Sequence, residues 1–168
     1  MVGGQKAPRR IDSMPRLRSA QAFELVPWNF PRSAPYLSLM DTIVDIIRSE
    51  RPSVQLIYLF GSRVDGRANR ASDHDIAVLD DGPIDPVERW ELAQRLARAL
   101  DADVDLVDLA TASTVLTYLV AITGRCLYAA PQTDRDAWAM NALTRYVQLN
   151  LDRRPVLERI AQTGQIHG

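Results

Sequence analysis

Residues 54–79 read VQLIYLFGSRVDGRANRASDHDIAVL, and the fold turns on how this stretch divides. Val54 to Phe60 is a short apolar run with β-branched and aromatic members, punctuated by Gly61. Such a run reads as a buried strand. Asp73 to Leu79 opens with alternating acids and finishes apolar, which predicts a second strand with one wet end and one buried end. Residues i and i+2 of a strand point to the same side, so Asp73 and Asp75 share one space while His74 and Ile76 face the other. Two anions held about 5 to 7 Å apart repel by about 1 to 3 kcal/mol at an effective dielectric of roughly 20. Stability alone gives little reason to build that pair, and a divalent cation resolves the conflict.

The residues between the strands extend the same logic. Gly61 and Ser62 stand directly after the first strand, and ten residues separate Ser62 from Asp73. A Gly-Ser turn at a strand end lets backbone N–H groups and a hydroxyl approach phosphate oxygens, and Gly66 keeps the next segment compact. Arg63, Arg67 and Arg70 lie between the turn and the acids, where they can neutralise a triphosphate or remain solvated loop charges. A third acid is available in VDLVDL at 104–109. Asp105 ranks first; Asp103 shares its side of a strand as a neighbouring acid, and Asp108 should face away. Three carboxylates suit oxygen-preferring Mg²⁺ and the two-metal mode of phosphoryl chemistry.

Outward from this centre, Leu37, Met40, Ile43, Val44 and Ile47 recur at helical spacing until Pro52 stops them. Asp85, Pro86 and Glu88 make a helix start, and Val87, Trp90, Ala93, Ala97 and Leu100 mark one predicted face. A third strand at about 104 to 109 precedes a helix from about Ser113 to Ile122 ended at Gly124, and RCLYA at 125–129 reads as one more short strand. Met140, Leu143, Val147 and Leu151 form a helical stripe, with Pro155 expected to end or kink that helix before a last apolar turn at Val156, Leu157 and Ile160. The pattern is α/β, a small mixed β-sheet flanked by helices in one domain over 36–168.

Composition bounds the alternatives. With 168 residues, 20 Lys and Arg against 21 Asp and Glu, and 46% hydrophobic residues, the chain is no collagen, coiled coil or wholly disordered polymer. No uncharged apolar run approaches the roughly 18 to 20 residues that cross a bilayer, and MVGGQKAPRR lacks a signal-peptide centre, so a cytoplasmic location is expected. One cysteine, Cys126, and two histidines, His74 and His167, assemble neither a disulfide nor a zinc cluster. Residues 1–35 hold six basic side chains against Asp12 and Glu24, and five of the ten prolines. They read as a flexible Pro/Arg-containing extension, with a nucleic-acid arm as the weaker reading of its scattered charges.

The stretch LFGSRVDGRANRASDHDIAVL resembles the polymerase-β-like nucleotidyltransferase signature, written G-S-x10-D-x-D, with Asp105 as third acid. Through QLIYLFGS, SDHDIAVL, RWELAQRLARALDADVDLVDL and ASTVL, residues 36–128 more closely resemble minimal nucleotidyltransferases, the MntA-type antitoxins of HEPN/MNT toxin–antitoxin pairs. The resemblance implies an antitoxin of a type VII-like system. Such a protein uses ATP and Mg²⁺, two ions by this scheme, to move AMP onto a tyrosine of its cognate HEPN ribonuclease toxin, in a hetero-oligomer. It further implies that Gly61 and Ser62, with Arg63 beside them, bind the triphosphate and that Asp73, Asp75 and Asp105 ligate the metals. Asp105 also helps a hydroxyl with pKa near 10 become a nucleophile. His74 stands where the pattern has an aliphatic residue, and Asp65 where small, polar or basic residues are common.

Two other functions compete. One is nucleotidyl transfer to a small hydroxylated molecule, against which the short chain argues. The other is a silent antitoxin that only binds its toxin, using the Met140, Leu143, Val147 and Leu151 stripe or the segment around Pro155 as a docking face. Strand parity keeps His74 out of the site, Trp90 and Trp138 read as core or interface, and Cys126 reads as buried and inert.

Overall fold

Val54 and Leu56 to Leu59 are all buried, so the apolar run between Pro52 and Gly61 becomes the middle of a sheet. The computed structural model describes residues 34–64 and 73–163. The expected extension at 1–35 lies outside them up to residue 33, as do Asp65, Gly66, Arg67 and Arg70. The elements run α1 (Ala34–Glu50), β1 (Leu56–Phe60), a 3₁₀ turn (Gly61–Arg63), β2 (His74–Leu79), α2 (Pro86–Leu100), β3 (Val104–Asp108), α3 (Thr114–Thr123), β4 (Arg125–Ala129) and α4 (Arg135–Thr163). Strand order is β3-β2-β1-β4, with β1 antiparallel to both β2 and β4, and β2 parallel to β3. The parallel pair requires a crossover, which α2 supplies.

Alternation along the strands feeds two cores. Leu56, Tyr58 and Ala77 gather with Leu109 and Val120 on the face covered by α3 and α4, where Trp138 packs on Tyr58 at 5.4 Å between ring centroids. Ile57, Leu59, Ile76 and Val78 point the other way. There α1 contributes Met40, Ile43 and Ile47, and α2 contributes Leu92, Ala93 and Leu96. The helix signals act as expected at Asp85, whose carboxylate accepts from the amides of Val87 and Glu88, and at Ser113, which accepts from Leu116. Arg51 is the last residue to donate back into α1 before Pro52.

Two expectations are corrected. Of the predicted α2 face Ala93 is buried, but Val87 and Trp90 are 63% exposed. Leu92 and Leu96 compete for the same sheet, and two leucines one turn apart bury more apolar surface there. The α4 stripe keeps its helical spacing and, at Met140, Val147 and Leu151, faces solvent, whereas small Ala142 is buried. Pro155, expected to end or kink the helix, does not end it, for α4 continues to Thr163. Proline removes one N–H donor, but the exposed carbonyl it leaves can bond water.

Buried acids elsewhere are fully engaged. Asp108 accepts from the amides of Ile84 (3.1 Å) and Ala110 (2.9 Å) and from the Thr111 hydroxyl, fastening the loop ahead of α2 to the end of β3. Asp80 is paired with Arg51 Nε at 2.7 Å, and Arg51 reaches Glu88 at 2.8 Å, so one guanidinium links the ends of α1 and β2 to α2. Burial works against the Asp80 charge, but hydrogen bonds from Ser53, Arg51 and the Asp81 amide hold its carboxyl below the ordinary range. A folded-state pKa below the unfolded one gives stability that is complete above the ordinary carboxylate range and lost as pH falls through the folded value. Asp80→Asn is therefore expected to cost about 2 kcal/mol at neutral pH. Urea unfolding should show the gap between variant and wild type closing as pH falls below about 4.

Candidate active site

The site begins where β1 stops. Phe60 is extended, and Gly61 at φ +71° turns the chain into the 3₁₀ turn, closed by the Val64 amide donating to the Gly61 carbonyl at 3.0 Å. Buried Val64 anchors that turn. Glycine is required at 61 for two reasons, since the positive φ disfavours any Cβ and a Cβ there would fall into the Asp75 carboxyl group.

Asp75 occupies this place because β2 pairs Phe60 with Asp75 on one side, while on the other side β3 pairs Asp75 with Asp105. The two carboxylates therefore stand side by side on one face of the sheet, at the strand ends beside the Gly-Ser turn. Asp73 lies one residue before β2, exposed, and its carbonyl accepts from Arg63 Nε at 3.1 Å. Burial first, then the charges of Asp105 and Asp73, push the Asp75 carboxyl above its ordinary range, with Arg63 opposing them. This crowding of like charge marks the residues as a set.

All six residues singled out in the sequence, Gly61, Ser62, Arg63, Asp73, Asp75 and Asp105, thus lie around one end of β1, β2 and β3. Among the described residues, no three Asp, Glu, His or Cys side chains already converge closely enough to grip a metal ion. The choice among the acids of β3 is decided by register. Asp103 lies before the strand and offers its carbonyl to the His74 amide, and Asp108 is the buried structural acid already described. His74 is buried on the opposite face, and burial, then Arg63, lower its pKa to about 4, with Asp73 opposing. The backbone link from Arg63 to Asp73 was not foreseeable, because nine residues intervene and no local motif announces it. Cys126 is half-buried with its thiol donating to the Tyr128 carbonyl at 3.3 Å, and burial raises its pKa.

A positive-φ glycine turn after a central strand, facing a carboxylate pair on the next two strands, defines a nucleotidyltransferase. The family described as polymerase beta, nucleotidyltransferase matches residues 41–133, and this chain belongs to it. Among its relatives is the protein adenylyltransferase MntA of Shewanella oneidensis, 45% identical over 118 residues, which are 70% of this chain and 84% of that protein. A crystal structure of a toxin–antitoxin with AMP-PNP aligns with TM-score 0.67 and 43% identity, covering 73% of this chain and 98% of that one. A structure of tri-AMPylated Shewanella oneidensis HEPN toxin in complex with MNT antitoxin aligns with TM-score 0.63 and 40% identity, covering 74% and 97%. No helix among the described residues is long and apolar enough to cross a membrane.

Two outcomes are expected from this geometry. Gly61→Ala should destabilise the fold by about 1 to 3 kcal/mol in thermal or urea unfolding, through the positive φ and the Asp75 contact. Asp105→Asn should bring the Asp75 carboxyl down toward its ordinary pKa in a carbon-detected NMR titration without divalent ions, because it removes a neighbouring negative charge.

Proposed function

We propose that this chain is the antitoxin of a type VII-like toxin–antitoxin pair, a protein adenylyltransferase that moves AMP from ATP to a tyrosine of its cognate HEPN ribonuclease toxin in the cytoplasm. The domain that does so comprises the described residues from α1 to α4. The observation that carries the reading is the Asp75 and Asp105 pair set in register beside the Gly61 turn. The donor chemistry fits Mg²⁺, for every candidate ligand is a carboxylate and their mutual repulsion is relieved by a hard cation. Asp73, Asp75 and Asp105 would hold two such ions. Mg²⁺, when bound, supplies electrophilic stabilisation of the phosphates and of the departing pyrophosphate.

The chain's own residues do the rest by position and charge. The Gly61 turn, free of a Cβ, admits the triphosphate to the backbone, with the Ser62 hydroxyl and the Arg63 guanidinium as further donors. Asp105, exposed at its strand, takes up the proton of the incoming tyrosine hydroxyl. The hydroxyl oxygen then forms a bond to the α-phosphorus as the bond from that phosphorus to the pyrophosphate oxygen breaks. AMP remains on the tyrosine and pyrophosphate leaves, a step that requires in-line placement more than covalent help from the protein.

Intact-mass spectrometry of the toxin encoded beside this chain, after incubation with this protein, ATP and Mg²⁺, tests the proposal. We expect a gain of about 329 Da or its multiples, the mass of an AMP unit, and none with Asp73→Ala/Asp75→Ala or with excess EDTA. An unmodified toxin held silent in a stable complex would instead show neutralisation by binding alone.

A further inference from the structure

The α4 helix is longer than its domain has use for. Tyr146 of α4 stacks on Tyr118 of α3 with centroids 3.9 Å apart, and Ala142 and Arg145 line the same hollow as Thr114 and Thr117, so the two helices run alongside in the same direction. On that alignment α3 ends, at Thr123, level with about residue 151, and α4 continues to Thr163, roughly 18 Å further at 1.5 Å per residue. Every residue from 151 to 159 is exposed. The direction of this arm is set by connectivity. Thr123 leads through Gly124 into Arg125, which pairs with Leu59 at the end of the sheet that also carries Gly61, Asp75 and Asp105.

Two features of the arm ask for a neighbour. Val147, Leu151 and Leu157, 48%, 56% and 60% exposed, line one face with Asn150 and the ion pair of Arg154 with Glu158, and Leu119 and Ile122 are exposed on the adjoining end of α3. A helix in water without tertiary contacts is marginal, and this one also contains Pro155. Over 145–159 the charge is positive, with four arginines at 145, 153, 154 and 159 against Asp152 and Glu158.

We infer that the projecting part of α4, with the exposed end of α3, is the seat of the acceptor protein, which presents an apolar face with an acidic rim. The inference rests on the proposed function and adds to it the surface that brings the acceptor hydroxyl to the carboxylates. A partner laid along this arm lies at the acid-bearing end of the sheet, whereas one on exposed Val87 and Trp90, at the start of α2 after the far end of β2, does not. Its acidic rim complements the arginines, and its apolar face covers the stripe that the domain leaves bare.

The test compares the full chain with Val147→Asp/Leu151→Asp, using ATP, Mg²⁺ and the toxin encoded beside it for turnover, and AMP-PNP with Mg²⁺ in the absence of toxin as the nucleotide-binding probe. Both side chains are solvent-exposed, so matched circular dichroism and unfolding curves should verify the fold. The expected result is a rise of about tenfold or more in KM for the toxin, with the Kd for AMP-PNP within about twofold of wild type. An unchanged KM overturns the assignment. So does a wild-type dimer that the variant dissolves in sedimentation without toxin, which gives the face to a second copy. Faster amide exchange of the stripe after deletion of residues 1–33 gives it to that segment and likewise overturns the assignment. Toxin that is bound but never adenylylated by wild type, with binding lost in the variant, leaves the seat standing and removes the transferase reading. Toxin adenylylated equally by both proteins does the reverse, and a wild type that neither binds nor modifies it removes both.

Discussion

Asp75 has Phe60 as its register partner on one side and Asp105 on the other, and both pairings must hold for the site to exist. Because side chains alternate at a period of two, a slip of one residue in either ladder would turn Asp75 or Asp105 to the opposite face. The register is therefore held by what lies around the acids. Leu59 opposes Ile76, and Ile76 opposes Leu106, all of them buried. Burying each such side chain contributes about 1.5 to 3 kcal/mol, so the three together exceed a carboxylate repulsion of about 1 to 3 kcal/mol. The hydrophobic sheet forces the acids together, and the crowding of their charges raises the Asp75 carboxyl above its ordinary range.

The other buried acids show the contrast. Asp108 and Asp80 are nearly inaccessible, yet each is surrounded by donors, and Asp80 also by a guanidinium. Their oxygens are spent on holding loops and helix ends in place. Asp75 is less buried, but its nearest charged influences include two further anions. Environment thus separates structural from site acids more sharply than burial does. Arg63 belongs to both worlds, since it opposes the negative charge at Asp75 while its Nε is engaged by the Asp73 backbone.

Much of this was readable in the chain. The strand ahead of Gly61, the cap at Asp85 and the short strand at 125–129 are local signals, and each appears where it was expected, whereas Asp73, read as the first residue of the second strand, lies one residue before it. Helix faces were less legible. In α2 the apolar residues populate two overlapping stripes, so periodicity alone does not say whether Val87 and Trp90 or Leu92 and Leu96 meet the sheet. In α4 the stripe was visible but not its destination, because an apolar helix face looks the same whether its own domain or another chain is to cover it. Pro155 was a weak stop signal for a similar reason, as the lost hydrogen bond is tolerable where water reaches the freed carbonyl.

The sequence by itself determined the identity of the elements and the chemical composition of the site, since strand runs, caps and the spacing from Ser62 to Asp73 are written within a few residues of one another. Strand parity already set Asp105 ahead of Asp108, and tertiary structure decided between Asp105 and its same-side neighbour Asp103. Asp103, Asp105 and Asp108 share one short segment, and only the parallel register with β2 sets Asp105 beside Asp75, leaves Asp103 to the backbone of His74 and buries Asp108 under the α2 loop. Strand pairing is a non-local choice made by the burial of both faces of the sheet, and no window of the sequence contains both partners of that choice.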